Sequence, residues 1–244
     1  MRITHYGSDL VQLTRYPAIF PMNCYLVRED DGVTLVDSTM SSPAAEVERI
    51  LGQLGLELRR VALTHAHADH VGGVAGVLRR FPTIEVSIGE RDARLLGGDK
   101  SLDPDEPQNP IKGYFVKVDW KPGRLLRPGD RVGSLEVVPA PGHTPGQVGF
   151  FDLRDRTLIA GDAFQTRGGV AVSGVLRPLF PFPALAWHKP TALATAKAVR
   201  QLGPSRLATG HGNVLEEPAA AIDQAIEVAE SAFRARGSTR PPTN

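Results

Sequence analysis

Three imidazoles and one carboxylate fall within six residues, in the run Thr64-His65-Ala66-His67-Ala68-Asp69-His70. Packing alone does not account for such a cluster, because buried polar groups without partners are costly. A fold built around it must bring it to ions. Leu58 to Thr64, just upstream, reads as a buried-type strand. The glycines at 72 and 73 are followed by Val74, Val77 and Leu78 on one helical face. The cluster therefore sits on a strand-to-helix turn. On an extended backbone His65 and His67 point to the same side, about 7 Å apart, where two imidazoles share one ion. Asp69 and His70 lie where the chain turns and aim at a neighbouring site.

The same context recurs downstream. His143 sits in Ala140-Pro141-Gly142-His143-Thr144-Pro145-Gly146, Asp162 follows Gly161, and His211 lies between Gly210 and Gly212. Each falls just beyond a predicted strand. Two metal positions need about four protein ligands apiece, or three with a water. The natural division puts His65, His67 and His143 on one ion and Asp69, His70 and His211 on the other. Asp162 bridges them, since a carboxylate has two oxygens to offer. His5 and His188 have no comparable context and read as ordinary histidines. Cys24, mid-strand in an apolar run, reads as a packing residue.

Around these loops the chain alternates strands and helices. Asn23 to Arg28 and Val33 to Asp37 flank Asp30-Asp31-Gly32, a hairpin signal. Ser42 is a candidate N-cap with Pro43 at the first helical position, and Gly55 is the stop. Ile84 to Ile88 is a further strand, before a short helix ending near Gly97-Gly98. Residues 97 to 113 carry Pro104, Pro107 and Pro110 and read as an irregular surface loop, either a plain solvated connection or an active-site rim. In the second half Arg131 to Val138 is a strand, and Val148 to Leu153 pairs with Thr157 to Ala160. Pro190 opens a helix to about Leu202, Arg206 to Thr209 is a strand, and a last helix runs from about Pro218 to Arg234. No composition break marks a linker. Residues 1–236 read as one domain of class α/β with helices outside two packed sheets, and 237–244 as a frayed tail.

Composition narrows the partners. Twenty-eight basic against 27 acidic residues leave a formal charge of +1 with no long charge block, so no nucleic-acid partner is expected. No apolar run of about 18 residues exists, so no membrane span is expected. Met1 to Leu10 lack the layout of an export signal, and a single cysteine fits a reducing compartment. The expected location is cytoplasmic and the expected partner a small-molecule substrate.

His65-Ala66-His67-Ala68-Asp69-His70, followed in order by His143, Asp162 and His211, resembles the metallo-β-lactamase-fold hydrolases. The resemblance spans about Asn23 to His211, and Val36-Asp37-Ser38 is similar to the family's strand-end Asp motif. It implies a four-layer αββα sandwich with the metal site at the sheet edge. A bridging aspartate at 162 is typical of the glyoxalase II, lactonase and phosphodiesterase branches, and the true β-lactamases of this fold lack it. Only 33 residues (244 − 211) follow His211, too few for the helical glutathione-binding region of glyoxalase II. The position of His211 is similar to that in the lactonases, but no tyrosine follows Tyr114 to match their assisting tyrosine.

The expected activity is therefore hydrolysis of an ester, lactone or thioester by a metal-bridging hydroxide, with Asp69 and Asp162 as the catalytic carboxylates. Alternatives are an iron-dependent oxidoreductase of the same fold and a phosphodiesterase or nuclease. The cofactor reads as two divalent ions, zinc first, with iron or manganese also suited to mixed His/Asp ligands. Asp37 and Thr64 are candidates for orienting the ligands. The apolar segment 168–187, with Val170, Val172, Val175, Leu176, Leu179, Phe180, Phe182 and Trp187, reads as a lid or pocket wall, a homodimer contact, or a loop buried on its own domain. Phe20 and Met22 join either surface. Arg167 and Arg177 are candidates to hold an anionic group.

Overall fold

In a computed structural model of the chain, which describes residues 1–177 and 185–237, alternation along the strands sorts side chains into separate apolar layers. The first sheet runs in chain order through β1 (Arg2–Tyr6), β2 (Leu10–Arg15), β3 (Met22–Glu29), β4 (Gly32–Val36), β5 (Leu58–Leu63), β6 (Glu85–Gly89) and β7 (Arg124–Leu126). Its first four strands pair antiparallel, and β4 through β7 pair parallel. The parallel steps need crossovers. These are α1 (Ala44–Leu54), the pair α2 (Ala68–Val71) and α3 (Val74–Arg80), and α4 (Glu90–Leu96) before a long irregular stretch.

The second sheet contains β8 (Arg131–Val132), β9 (Leu135–Pro139), β10 (Val148–Asp152), β11 (Thr157–Ile159), β14 (Arg206–Ala208) and β15 (Leu215–Glu216), in the order β15-β14-β11-β10-β9-β8. A small hairpin, β12 (Phe164–Gln165) with β13 (Ala171–Val172), stands apart. The helices α5 (Lys189–Leu202) and α6 (Ala219–Gly237) complete the chain.

Period-two alternation explains the layering. Cys24, Leu26, Leu35, Val61 and Leu63 face the α1–α4 side with Val47, Ile50 and Val74. Their neighbours Tyr25, Val27, Val36 and Ala62 face Leu135, Val137, Phe150, Ile159 and Ala208 of the second sheet. Val138, Phe151, Leu158 and Leu207 turn away from the first sheet and pack with Ala192, Ala196 and Val199 of α5 and Ile222 and Ala225 of α6. The layers are helix, sheet, sheet, helix. Strands buried on both faces read as continuous apolar runs for this reason.

This topology positions the site. β9 and β11 both pair antiparallel with β10, and β14 pairs parallel with β11. All three therefore point the same way, and their C-terminal loops emerge together. Those loops carry His143, Asp162 and His211.

Most expected elements appear within a residue or two. The differences have local causes. The expected strand Arg131 to Val138 is a hairpin, β8 to β9, folded at Gly133 and Ser134. The helix after the histidine cluster is broken at Gly72-Gly73, where added side chains would collide with the backbone of Met40 and Ser38. α1 begins at Ala44, with Ser42 Oγ accepting from the Ala44 N–H at 3.2 Å. Cys24 is buried in the helix-side layer, as its reading had it. The tail expected over 237–244 lies, beyond Gly237, outside the described residues. No helix among the described residues is long and apolar enough to cross a membrane.

Candidate metal centre

Strand β5 ends at Leu63, and the next seven residues leave the sheet edge with His65, His67 and His70 all buried. The structure brings all seven singled-out side chains together. His67 Nδ1 lies 2.9 Å from His143 Nε2 and 3.2 Å from His65 Nε2. His211 Nε2 lies 3.3 Å from Asp69 Oδ2 and 3.1 Å from Asp162 Oδ2. Asp162 also reaches His70 Nε2 through Oδ1 at 3.3 Å and His143 Nε2 through Oδ2 at 3.4 Å. The ligand atoms fall into the groups His65-His67-His143, Asp69-His70-His211 and His65-His70-Asp162, each within 4.8 Å. The first two match the division read from sequence, with Asp162 between them.

The outward atoms of these rings are already committed. His67 Nε2–H donates to the Lys112 carbonyl at 2.9 Å, and His211 Nδ1–H to the Pro21 carbonyl at 2.7 Å. His70 Nδ1–H donates to Asp37 Oδ2 at 2.7 Å. The Thr64 hydroxyl donates to the same oxygen at 2.9 Å, which leaves its lone pair for His65 Nδ1–H at 3.1 Å. His143 Nδ1 meets Ser173 Oγ at 3.0 Å. Once the outer nitrogen carries the proton, the inner one presents a lone pair. Lone pairs and carboxylates then converge on one spot with no donor between them, an arrangement that calls for cations.

The charge states agree. Burial pushes His65 and His67 down and holds His143 at about 3, so these rings are neutral. Burial also opposes charge on His70 and His211, but the Asp37, Asp162 and Asp69 carboxylates outweigh it; His70 rises well above its ordinary value and His211 to about 10. Asp162 and Asp69 stay below the usual carboxylate range, because the neighbouring histidines overcome the burial that works against ionisation. His70 Nε2 and Asp162 Oδ1 are buried without a hydrogen-bond partner, although they lie close together. Without ions, protons occupy the positions that ions take. The donor set fits a divalent metal pair.

Residues 19–211 match the profile of the Metallo-beta-lactamase superfamily. The chain belongs to this superfamily. Among its relatives, Uncharacterized protein YobT of Bacillus subtilis is 49% identical over 232 residues, 94% of this chain and 99% of its own length. Hydroxyacylglutathione hydrolase GloC of Haemophilus influenzae is 29% identical over 159 residues, 62% of this chain and 70% of its own. The crystal structure of TTHA1623 in a di-iron-bound form superposes with a TM-score of 0.60 at 27% identity, covering 86% of this chain and 96% of that one. As a member of the metallo-beta-lactamase superfamily this chain is a metal-dependent hydrolase with the αββα architecture of that fold.

As in any pocket-bearing enzyme, the cavity beside the ligands bears on substrate choice. It measures about 320 Å³, and its lining includes Asp69, Asp162, His67, His143 and His211. The rest of the lining is Phe20, Met40, Phe164 and Leu185, with Gln165, Ser173 and the Tyr114 hydroxyl as the neutral polar groups. Phe20 packs on the His211 ring at 4.9 Å between centroids. Met22 is buried beneath, in β3.

The loop 97–113 is a rim, not a plain connection. Beyond the Lys112 carbonyl on His67, Tyr114 O accepts from the Ala68 N–H at 2.9 Å, and Asn109 O accepts from Trp187 Nε1–H at 2.9 Å. Gly113 makes the approach possible. Its φ is +116°, and an added Cβ would lie 2.5 Å from His67 Cδ2 and closer still to Nε2.

The segment 168–187 divides. Val170, Val172, Val175 and Trp187 are buried within the domain, while Leu176 is half exposed. Leu179, Phe180 and Phe182 fall in 178–184, outside the described residues. Arg167 and Arg177 do not face the cavity lining; they hydrogen-bond the carbonyls of Pro17, Ala18 and Val170. His188 sits at the start of α5, its Nδ1 2.7 Å from Thr191 Oγ1.

Several supporting residues escaped the sequence reading. Asp92 is fully buried and accepts from the Ala66 N–H, the Thr144 hydroxyl and the Gly146 N–H, tying both histidine loops to α4. Its signal was a carboxylate on the apolar stripe with Leu95 and Leu96. Asn23 and Tyr25 donate to the carbonyls of Thr209 and Gly212 and fix the His211 loop from the first sheet. Asp37 and Thr64, by contrast, were orienting candidates in the sequence: Asp37, at φ +61°, is held in that strained turn by the Thr64 N–H, the Thr64 hydroxyl and His70. Asp37→Asn should weaken metal affinity about 10- to 100-fold, the usual cost of removing such an orienting partner. Competition against a chromophoric chelator reads this directly, and unaltered affinity would refute the orienting role.

Proposed function

We propose that this chain is a dinuclear hydrolase that cleaves uncharged esters, lactones or thioesters bearing an apolar acyl group. The observation that carries this reading is Asp162, whose carboxylate lies between two His-rich groups on the wall of an otherwise apolar cavity. His65, His67 and His143 would hold one ion, and Asp69, His70 and His211 the other. When bound, the ion pair supplies Lewis acidity toward a carbonyl oxygen and a coordinated water of lowered pKa. The chain supplies the rest. Asp69, ionised and on the cavity wall, orients the attacking water, takes its proton and hands it to the departing oxygen or sulfur. Water adds to the acyl carbon, the bond to the leaving group breaks, and the leaving group departs protonated. Phe20, Met40, Tyr114 and Leu185 seat the acyl group and keep bulk solvent away.

No Lys or Arg lines the cavity among the described residues, and the sequence of 178–184, Pro-Leu-Phe-Pro-Phe-Pro-Ala, carries no charge. That disfavours polyanions such as nucleic acids, whose charge extends beyond what the two ions would neutralise. Zinc is the first candidate for both positions. The di-iron form of TTHA1623 favours one competing reading, an iron oxidoreductase on the same ligands.

Elemental analysis of the purified protein, paired with a panel of aryl esters, lactones, thioesters and phosphodiesters, separates these. The expected result is two ions per chain and carboxyl-ester or thioester cleavage that chelation abolishes and metal restores. Iron content with oxygen consumption would replace the hydrolase reading. A metal-loaded protein inert toward the whole panel would end it. Subcellular fractionation tests the cytoplasmic assignment, and sedimentation tests a homodimer contact through 168–187.

A further inference from the structure

Among the described residues only two buried side-chain carbonyl or carboxylate oxygens lack a hydrogen-bond partner. One is Asp162 Oδ1, which belongs to the metal centre. The other is Gln165 Oε1. Gln165 ends strand β12, is 3% exposed, and lines the cavity beside Phe164. Its Nε2 lies 3.5 Å from the Gly169 carbonyl, which sets the orientation of the amide. The flipped amide would set two oxygens against each other, so the carbonyl is the end left over.

An unpaired amide carbonyl in a buried wall is costly to keep. An apolar residue of similar volume would fill the same wall without that cost. Ser173 Oγ, which accepts from His143 Nδ1–H at 3.0 Å, makes no hydrogen bond to the Gln165 carbonyl. Of the other walls, Phe20, Met40, Phe164 and Leu185 carry no donor, and the Tyr114 hydroxyl makes no hydrogen bond to it. A donor on a molecule that enters the cavity would supply the missing partner.

We infer that Gln165 is a specificity residue that accepts a hydrogen bond from the substrate, so that the site selects acyl groups carrying an N–H or O–H donor along an otherwise apolar chain. This rests on the hydrolase reading above and sharpens its substrate class. A site built to pair with a donor discriminates strongly against an analogue that lacks it, because binding the analogue leaves the buried acceptor unpaired. A purely apolar wall would show no such discrimination.

The test uses matched probes. The 4-nitrophenyl esters of N-hexanoylglycine and N-hexanoyl-β-alanine each carry one amide N–H, and their N-methyl counterparts carry none. The metal-loaded wild type should prefer the N–H member of at least one pair by about tenfold or more in kcat/KM. Gln165→Met, close in volume but without the carbonyl, should bring that pair to within about twofold. The ratio is measured in one preparation, so it is independent of the fraction of folded protein. Equal rates for both members of both pairs in the wild type would overturn the assignment, as would a preference that survives in Q165M. Calorimetric titration with the uncleaved N,N-dimethylamides of the same acids reads the contact without turnover. If the esters are not cleaved but the N–H amide still binds about tenfold more tightly than its N-methyl partner, the hydrolase reading fails and Gln165 stands.

Discussion

Asp162→Asn is expected to lower the metal content from two ions per chain to one or fewer and to cut kcat/KM by at least about 100-fold, beyond the range for an outer orienting group. Asparagine keeps the shape of the side chain and removes one anionic oxygen. Asp162 Oδ2 approaches His211 and His143, while Oδ1 approaches His70, so the carboxylate touches histidines of both groups. An amide in its place turns one of those oxygens into a donor aimed at a cation. Plasma emission analysis and ester turnover on the same sample check the result. Two retained ions with near-normal turnover would show that the centre does not depend on a shared carboxylate.

A second large effect is expected where no side chain exists. Gly113→Ala should remove most metal binding and reduce turnover by about 100-fold or more, the upper end for loss of a ligand's outer hydrogen bond. The added methyl would enter the space of the His67 ring, and the backbone at φ +116° is one that alanine resists. Either Lys112 withdraws its carbonyl from His67 or the ring rotates off its site. Far-ultraviolet circular dichroism should stay that of the wild type, because the loop adds nothing to either sheet. Normal metal affinity in this variant would mean that the 97–113 rim does not set the ring of His67.

The central strands and outer helices were legible because each shows one clean period. β5, α1 and α5 bury residues at the spacing their sequences announce. β2 was not, since Gln12 and Thr14 interrupt its apolar run and yet are fully buried. Gln12 pairs with the Gly212 carbonyl, 200 residues away, and Thr14 with Asn23 across the strand pair, and neither partner shows in the pattern of β2 itself. The cluster of site histidines and aspartates was legible because its chemistry resides in side chains. Its supports were not. Lys112 and Pro21 act through carbonyl oxygens that every residue possesses. Substrate choice was hidden further still, in the Gln165 amide, whose meaning lies in a bond the protein does not make with itself.

His65, His67, Asp69 and His70 leave the first sheet, whereas His143, Asp162 and His211 leave the second, and each ligand group draws on both. Ions held there act as rivets through a seam. Work done to part the sheets at that edge must also break coordination, so affinity for metal and resistance to opening are one quantity seen from two ends. A metal-stripped chain should loosen first along this seam, where amides following β5 and β14 would exchange with solvent sooner than those of the helices behind them.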